Sequence, residues 1–235
     1  MFLSLLLACS KQPDVIETPG PPPPPPAAKA IASDWPVSGS VGVVTIKNGD
    51  APVRGTLDGV SGQVTVTGDW SGVDGQVAVD LSTWDSALAL RDDRIKETFF
   101  DLAAHGTATF AVARLEGVPE GGPSAEGSPV TVTGRLGLHG TEQEVVVAAT
   151  LTPAGEGFRL VTTEGFDVGM ASYGLEERLQ ALLTLCGHAS VDDTAKVSLD
   201  LALGSVPAPS DDTTEEGAGG EGEAPAAPTS DDGGS

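Results

Sequence analysis

The sequence predicts an all-β fold, an antiparallel sandwich or barrel with one or two short helices and disordered tails. Apolar and polar residues alternate through most of residues 35–204, which is the pattern of strands with one buried face. Short clusters rich in Gly, Asp and Pro separate the alternating runs and indicate hairpin-like links. Counting the runs gives about eight to ten strands, a number typical of an antiparallel sandwich or barrel.

Four runs show the alternation most clearly. They are residues 64–67, 77–82, 130–138 and 197–203. The predicted turns between the strands lie at 68–75, where Asp74 and Gly75 are adjacent, at Gly140-Thr141 and at 153–157.

Two stretches space their apolar residues as a helix does. Ile95, Phe99 and Leu102 recur at this spacing within residues 91–102, with charged residues between them. In residues 175–183, four leucines fall on one helical face. Both stretches are predicted to be short amphipathic helices inserted into the β fold, where a helix can close the mouth of a barrel.

Composition divides the chain into four parts. Residues 1–9 have the character of a signal-peptide remnant, and residues 10–34, with six consecutive prolines, that of an extended linker. Residues 35–204 have the length of one domain with a sizeable core. Residues 205–235 contain no aromatic residue, Leu or Ile, so a disordered acidic tail is predicted there.

The apolar start of the chain ends in Leu-Leu-Ala-Cys at residues 6–9, which resembles the bacterial lipobox. The resemblance implies that Cys9 is lipidated and that the residues before it are removed. Acyl chains would then anchor the protein in a membrane, at about 0.8 kcal/mol per buried CH₂. No Lys or Arg precedes Lys11, so the positive region of a signal peptide has to lie upstream; a chance cysteine is the alternative.

The chain is strongly acidic. Its formal net charge is −22, and removal of the eight acidic residues of the tail still leaves −14. Such a surface repels phosphate backbones, which are bound through Lys and Arg. Nucleic-acid binding is therefore not expected, and the charge is better explained by solubility.

The chemically reactive residues form no recognisable catalytic pattern. The sequence has no nucleophile elbow, phosphate loop or His-Glu-x-x-His motif, so neither an enzymatic activity nor a cofactor is predicted. His105, His139 and His188 are scattered, and one Cys186-x-His188 pair is weak evidence for a metal, so no metal site is predicted. His139 is expected to make a structural hydrogen bond in a turn, and Cys186 to be a small buried apolar residue.

A barrel built from this sequence has room inside. Aromatic residues make up only 4% of the chain, and the strands are rich in Val, Ala, Thr and Gly. Residues that alternate with polar neighbours are predicted to face inwards and to contact a ligand. They are Val77, Val79, Leu81, Phe110, Val132, Leu136 and Leu138. If the opposite face lines the interior, the whole set is reversed, because a shift of one residue turns every side chain over.

Two motifs resemble those of a known family. Residues 90–101, Leu-Arg-Asp-Asp-Arg-Ile-Lys-Glu-Thr-Phe-Phe-Asp, resemble the Arg-Asp-x-x-Leu-x-x-x-x-Phe-Phe-Asp segment of the YceI-like lipid- and polyisoprenoid-binding family. Residues 132–140, Val-Thr-Gly-Arg-Leu-Gly-Leu-His-Gly, resemble that family's V-x-G-x-L-x-x-H-G strand and turn. Residues 53–62 and 191–197 are similar to its early strands and to the turn before its last strand.

The resemblance implies an extended lipocalin-like barrel that holds the apolar tail of an isoprenoid-type lipid, for transport, storage or sequestration and without catalysis. Phe99 and Phe100 point about 100° apart on a helix, so we expect one to fill the core and the other to touch a ligand at the mouth. Arg91 is expected either to meet a lipid head group or to pair with neighbouring acids.

These features predict a lipid-anchored protein of the bacterial cell envelope that faces the periplasm or the outer surface. Its predicted partners are an apolar lipid inside the barrel and a membrane bound through Cys9. The sequence is also compatible with a homodimer. The alternative function is that of a ligand-free β-domain that binds a protein partner or serves as a structural module of the envelope.

Overall fold

A computed structural model describes residues 32–205 and contains ten antiparallel strands in this range. In chain order they are β1 (Ala32–Lys47), β2 (Ala51–Leu57), β3 (Val60–Thr67), β4 (Val73–Asp80), β5 (Thr107–Glu116), β6 (Ser128–Leu138), β7 (Thr141–Ala154), β8 (Gly157–Thr162), β9 (Phe166–Gly169) and β10 (Thr194–Leu203). Most neighbours in the sheet are neighbours in the chain, as short hairpin links require.

The first strand closes the sheet into a barrel. The start of β1 pairs with β3, and from Val37 onward β1 pairs with β10, where Val37 lies opposite Leu203. The closed ring therefore has eight strands, in the order β1-β3-β4-β5-β6-β7-β8-β10. The two remaining strands lengthen the wall, since β2 pairs with the second half of β1 and β9 with the start of β10. The predicted antiparallel barrel is confirmed, and a sandwich of two separate sheets is excluded for this part of the chain.

Short helices interrupt the sheet in two places. Between β4 and β5 lie a 3₁₀ turn (Leu81–Thr83), α1 (Ala89–Arg94), a π-helical turn (Ile95–Phe100) and α2 (Leu102–His105). Between β9 and β10 lie a 3₁₀ turn (Met170–Tyr173) and α3 (Glu176–Cys186). The predicted helix at 91–102 is thus divided into three pieces: α1 passes into the π-helical turn at Ile95, and Asp101, left-handed with a φ of 53°, separates that turn from α2.

Two of the predicted turns are displaced. Asp74 and Gly75 lie within β4, and the chain reverses earlier, at residues 68–72. The Asp69 carboxylate fixes that reversal by accepting hydrogen bonds from the hydroxyl of Thr67 at 2.7 Å and from the backbone N–H of Ser71 at 3.1 Å. Hydrogen bonds from Thr67 and Ser71 lower the pKa of Asp69 to about 2.

The link between β6 and β7 is His139-Gly140, not Gly140-Thr141. Both residues have positive φ, 51° and 77°, as a two-residue turn between twisted antiparallel strands requires. A residue other than glycine is uncommon at such a position, and histidine is among the few types that adopt it more readily.

Several predictions concern the chain outside the described residues. The signal-peptide remnant with Cys9, nearly all of the proline-rich linker and residues 206–235 of the tail lie there. At the amino-terminal end of the domain, β1 begins at Ala32, before the predicted domain start at residue 35. Within residues 32–205, none of the helices has both the length and the apolar character needed to cross a bilayer.

Candidate functional site

The barrel encloses a cavity of about 270 Å³ whose wall is almost wholly apolar. All ten strands contribute inward-facing side chains to it, mainly Val and Leu. Thr45 and Thr109 are the only hydroxyl-bearing residues among the described residues of the wall, and none of those residues is charged. A space of this kind offers dispersion contacts and almost no hydrogen bonds to its contents.

Three aromatic rings lie together at one end of the barrel. Trp35 and Trp70 each meet the ring of Phe158 edge-on, with centroid distances of 5.4 Å and 5.0 Å. Trp70 sits in the β3–β4 turn with a φ of 61°. Gly204 is required beside this cluster, because a Cβ there would come within 2.6 Å of the Trp35 ring. We call these three residues the aromatic end of the cavity.

The helices lie at the opposite end. Leu175 and Leu179 are buried there and line the cavity, and so do Phe99 and Phe100 of the π-helical turn. The two phenylalanine rings are 5.4 Å apart, and Phe100 also meets Trp84 edge-on at 5.8 Å. Both adjacent phenylalanines therefore reach the wall, whereas only one was expected to face the mouth. We call this region the helical end.

The structure places nine of the ten predicted ligand-contact residues on the cavity wall. They are Val77, Val79, Leu81, Phe99, Phe100, Phe110, Val132, Leu136 and Leu138. The inward orientation chosen for the strands is therefore the observed one, while contact of these residues with a ligand stays a prediction.

Arg91 is the exception, because its side chain is engaged outside the cavity. Its Nε donates a hydrogen bond to the Ser86 hydroxyl at 2.6 Å, and its guanidinium also donates to the Ser86 carbonyl. Ser86 in turn donates its backbone N–H to the buried carboxylate of Asp92 at 3.0 Å. Burial raises the pKa of Asp92, but the hydrogen bonds that its carboxylate accepts, led by those from Ser86, together lower it more, so the net shift is downward. The geometry assigns Arg91 to the support of the loop before α1 and gives no contact with the cavity.

Sequence reasoning missed much of the wall at both ends. Trp35, Trp70 and Trp84 all line the cavity, yet Trp35 and Trp70 sit beside polar or turn-forming residues and carry no period-two signal. The small number of tryptophans could have indicated these positions, since the chain has only three. Large aromatic side chains in a chain with so few of them tend to mark cores or binding sites.

A polar cluster lies outside the cavity, next to the helical end. The rings of His105 and His139 are 3.9 Å apart, so these two histidines are not scattered as predicted. Each can offer one ligand atom together with Asp101, and the three atoms lie within 4.8 Å of one another. Arg178 of α3 forms an ion pair with the Asp101 carboxylate.

His139 does not make the predicted structural hydrogen bond through its Nε2 atom. That atom is buried and has no hydrogen-bond partner among the residues described. Burial lowers the pKa of His139, and the nearby His105 and Arg178 lower it further. The lowered pKa favours the neutral imidazole at neutral pH, and its Nε2 has no hydrogen-bond partner among the described residues.

Comparison with known proteins identifies the family. The family model of the YceI-like domain matches residues 35–203, which is nearly the whole of the described chain. The chain belongs to the YceI-like domain family. The resemblance inferred from residues 90–101 and 132–140 is thereby confirmed.

Two solved structures are similar to this YceI-like protein in fold. One is described as a polyisoprenoid binding domain from Saccharophagus degradans implicated in plant cell wall breakdown. Its sequence is 18% identical, the TM-score is 0.60, and the match covers 74% of this chain and 98% of that one. The other is BcnA of Burkholderia cenocepacia, 18% identical with a TM-score of 0.54, over 70% of this chain and 95% of that one. A comparison with curated proteins finds no match. At this level of identity the likeness establishes the barrel fold.

Proposed function

We propose that this YceI-like protein binds a long apolar lipid of the polyisoprenoid class inside its barrel, for transport, storage or sequestration. The observation that carries the proposal is the cavity itself, a space of about 270 Å³ inside the barrel with an almost wholly apolar wall. A methyl-branched chain suits such a wall of Val, Leu and aromatic side chains, because it needs dispersion contacts and no hydrogen-bond partners.

The energetic cost of an empty cavity supports an apolar occupant. At ~24 cal/mol per Å³ of unfilled core, a volume of 270 Å³ corresponds to about 6 kcal/mol. That is a large part of the ~5–15 kcal/mol that stabilises a typical domain. A lipid that fills the space restores the missing contacts, and water cannot do so because the wall offers it too few polar partners.

The similar domain from Saccharophagus degradans supports the ligand class by analogy, since it is described as polyisoprenoid binding. The binding role needs no catalytic group, in keeping with a wall that carries no charge among its described residues.

Anchoring to a membrane of the bacterial envelope is the second part of the proposal. It rests on the lipobox-like residues 6–9, with Cys9 as the site of lipid attachment and the proline-rich segment as a spacer. A Cys9→Ser variant is expected to move from the membrane fraction to the soluble fraction of a bacterial host, whereas Cys186→Ser should stay with the membrane. Retention of Cys9→Ser in the membrane fraction would contradict lipid anchoring at this residue.

The binding proposal is tested by native mass spectrometry of the full-length protein, followed by organic extraction and lipid analysis. We expect a co-purifying lipid near one per chain, or its uptake on titration with polyprenyl lipids. Ala108→Phe should abolish binding, because Ala108 lines the cavity and is 8% exposed. Ala111→Phe, on the same strand but exposed, is the matched control and should bind as the unaltered protein does.

Folding of each variant is checked by circular dichroism, and Leu138→Phe, at a half-buried position of the wall, replaces Ala108→Phe if that variant does not fold. A folded protein that carries no lipid and takes up no polyprenyl chain would reject the proposal. The ligand-free envelope module would then be the better description.

A further inference from the structure

The polar cluster beside the helical end joins two parts of the fold that are distant in sequence. Asp101 immediately precedes the short helix α2, His105 is its last residue, and His139 lies in the turn between β6 and β7. Each segment also borders the cavity, because Phe100 and Leu138 line it immediately before Asp101 and His139. None of the three polar residues lines the cavity itself.

We propose that Asp101, His105 and His139 form a binding site for a divalent transition-metal ion of the Zn²⁺ type. Two imidazole nitrogens and one carboxylate oxygen are a usual ligand set for such ions, with water completing the coordination. Here the three ligand atoms already lie within 4.8 Å of one another. Metal–ligand distances of about 2.0–2.2 Å in a tetrahedral site bring ligand atoms to roughly 3.4 Å apart, so small side-chain rotations complete it.

The free nitrogen of His139 is the second observation that points to a ligand. Its Nε2 atom is buried without a hydrogen-bond partner among residues 32–205. Buried polar atoms are nearly always paired, so an orphaned imidazole nitrogen beside a second imidazole calls for an occupant. An unprotonated Nε2 can donate its lone pair to a metal ion, and no N–H or O–H group of the described residues donates a hydrogen bond to it.

Arg178 supports the site although it is a cation. Its guanidinium binds Oδ2 of Asp101 and also donates to the Thr98 carbonyl at 3.4 Å. Outer partners of this kind fix the orientation of a ligating carboxylate and leave its second oxygen for the metal. An open surface pocket, lined by Thr98, His139, Glu177 and Arg178 among others, exposes the His139 side of the cluster to solvent.

The test is calorimetric titration of the metal-stripped, full-length protein with ZnCl₂, repeated with Co²⁺ to record the visible bands of a coordinated ion. We expect one tight ion per chain. His105→Ala and His139→Asn should each weaken binding beyond the ~10- to 100-fold loss that removal of an outer partner causes. Asn is chosen at residue 139 because it tolerates the positive φ of that turn.

His188→Ala is the matched control, since His188 lies two residues after Cys186 and could form a separate site with it. This variant should bind Zn²⁺ with unchanged affinity and give the same Co²⁺ spectrum. Equal binding by all variants would place the ion on the acidic tail or another surface and overturn the proposal. Loss of binding in His188→Ala alone, or no tight binding to the unaltered protein, would overturn it too. Circular dichroism of each variant excludes unfolding as the cause.

Discussion

Arg159 and Asp200 link β8 to β10 through a two-pronged ion pair. Arg159 Nε donates to Asp200 Oδ1 at 2.7 Å, and a second guanidinium nitrogen donates to Oδ2. These hydrogen bonds lower the pKa of Asp200 and raise that of Arg159. Because both side chains are more than a third exposed, solvent screening keeps the contribution to stability at about 0.5–1 kcal/mol.

Asp200→Asn is therefore expected to lower the free energy of unfolding at neutral pH by this amount. A carboxyl group whose pKa is lower in the folded than in the unfolded state stabilises the fold at pH values above its unfolded pKa, near 3.9. This stabilisation is lost as the pH falls through the pKa of the folded state. The difference between Asp200→Asn and the unaltered protein should accordingly shrink as the pH falls below about 3.9 and disappear below the lowered folded pKa of Asp200. Urea unfolding of both proteins at several pH values measures this difference in the free energy of unfolding.

Arg159→Gln provides the control for the ion pair. It should show the same loss at neutral pH, and the double variant should lose no more than either single one, because the two residues act through one contact. A difference that persists unchanged at low pH would contradict the assignment.

At the scale of single residues, alternation predicted the wall of the cavity well wherever strands are regular. The inward orientation of Val77, Val79 and Val132 could be predicted, because a strand with one solvent-exposed face has only two possible orientations. The isolated tryptophans and the meeting of His105 with His139 could not be placed. Their positions depend on which turns come together in space, and this is not encoded in local periodicity.

The helix α3 shows how one element seals the barrel. Its residues Leu179 and Leu183 are buried, and Leu179 lines the cavity, whereas Leu185 on the same helix is 53% exposed. The apolar face of α3 packs against the π-helical turn, and the Arg178–Asp101 ion pair joins α3 to the residue that follows this turn. The inward leucines therefore carry the packing at this end.

Leu179→Ala is expected to destabilise the protein by about 2–5 kcal/mol, because it removes buried methyl groups and enlarges an existing space. Leu185→Ala, on the same helix, should change the free energy of unfolding by no more than about 0.5 kcal/mol. Denaturant unfolding of both variants measures the difference. Equal effects would mean that α3 does not seal the barrel in solution.

At the scale of elements, the sequence predicted α3 and the position of the first helix, but not the division of residues 91–102. The spacing of Ile95, Phe99 and Leu102 fits an α-helix. The observed π-helical turn and the left-handed Asp101 accompany packing against α3 and the ion pair with Arg178. Such tertiary contacts override local preference, and a single-sequence pattern does not contain them.

Closure of the whole barrel depends on the contact between β1 and β10. Gly39 lies at this seam with a φ of 137°, and a Cβ there would come within 2.2 Å of the Asp200 carbonyl oxygen. Only glycine fits a backbone approach this close. Period-two alternation could not decide between a sandwich and a barrel, because closure is a pairing of the first and last strands.

Gly39→Val is expected to open the seam and to destabilise the protein by at least about 2 kcal/mol. Ser38→Val, next to it on an exposed side of β1, should be tolerated. Hydrogen exchange of the β1 and β10 amides measures the effect, with faster exchange expected across the seam in Gly39→Val only. Unchanged protection of these amides would show that the closing contact is not what holds the barrel shut.

The three tryptophans of the chain all lie on the cavity wall, so the protein carries its own optical reporter. Indole emission responds to the polarity and the contacts around the ring, and here every emitter faces the same space. The emission of Trp35 and Trp70 reports on the aromatic end, while that of Trp84, beside Phe100, reports on the helical end. Variants that keep one tryptophan at a time can therefore follow, without any label, how far along the barrel an incoming chain reaches.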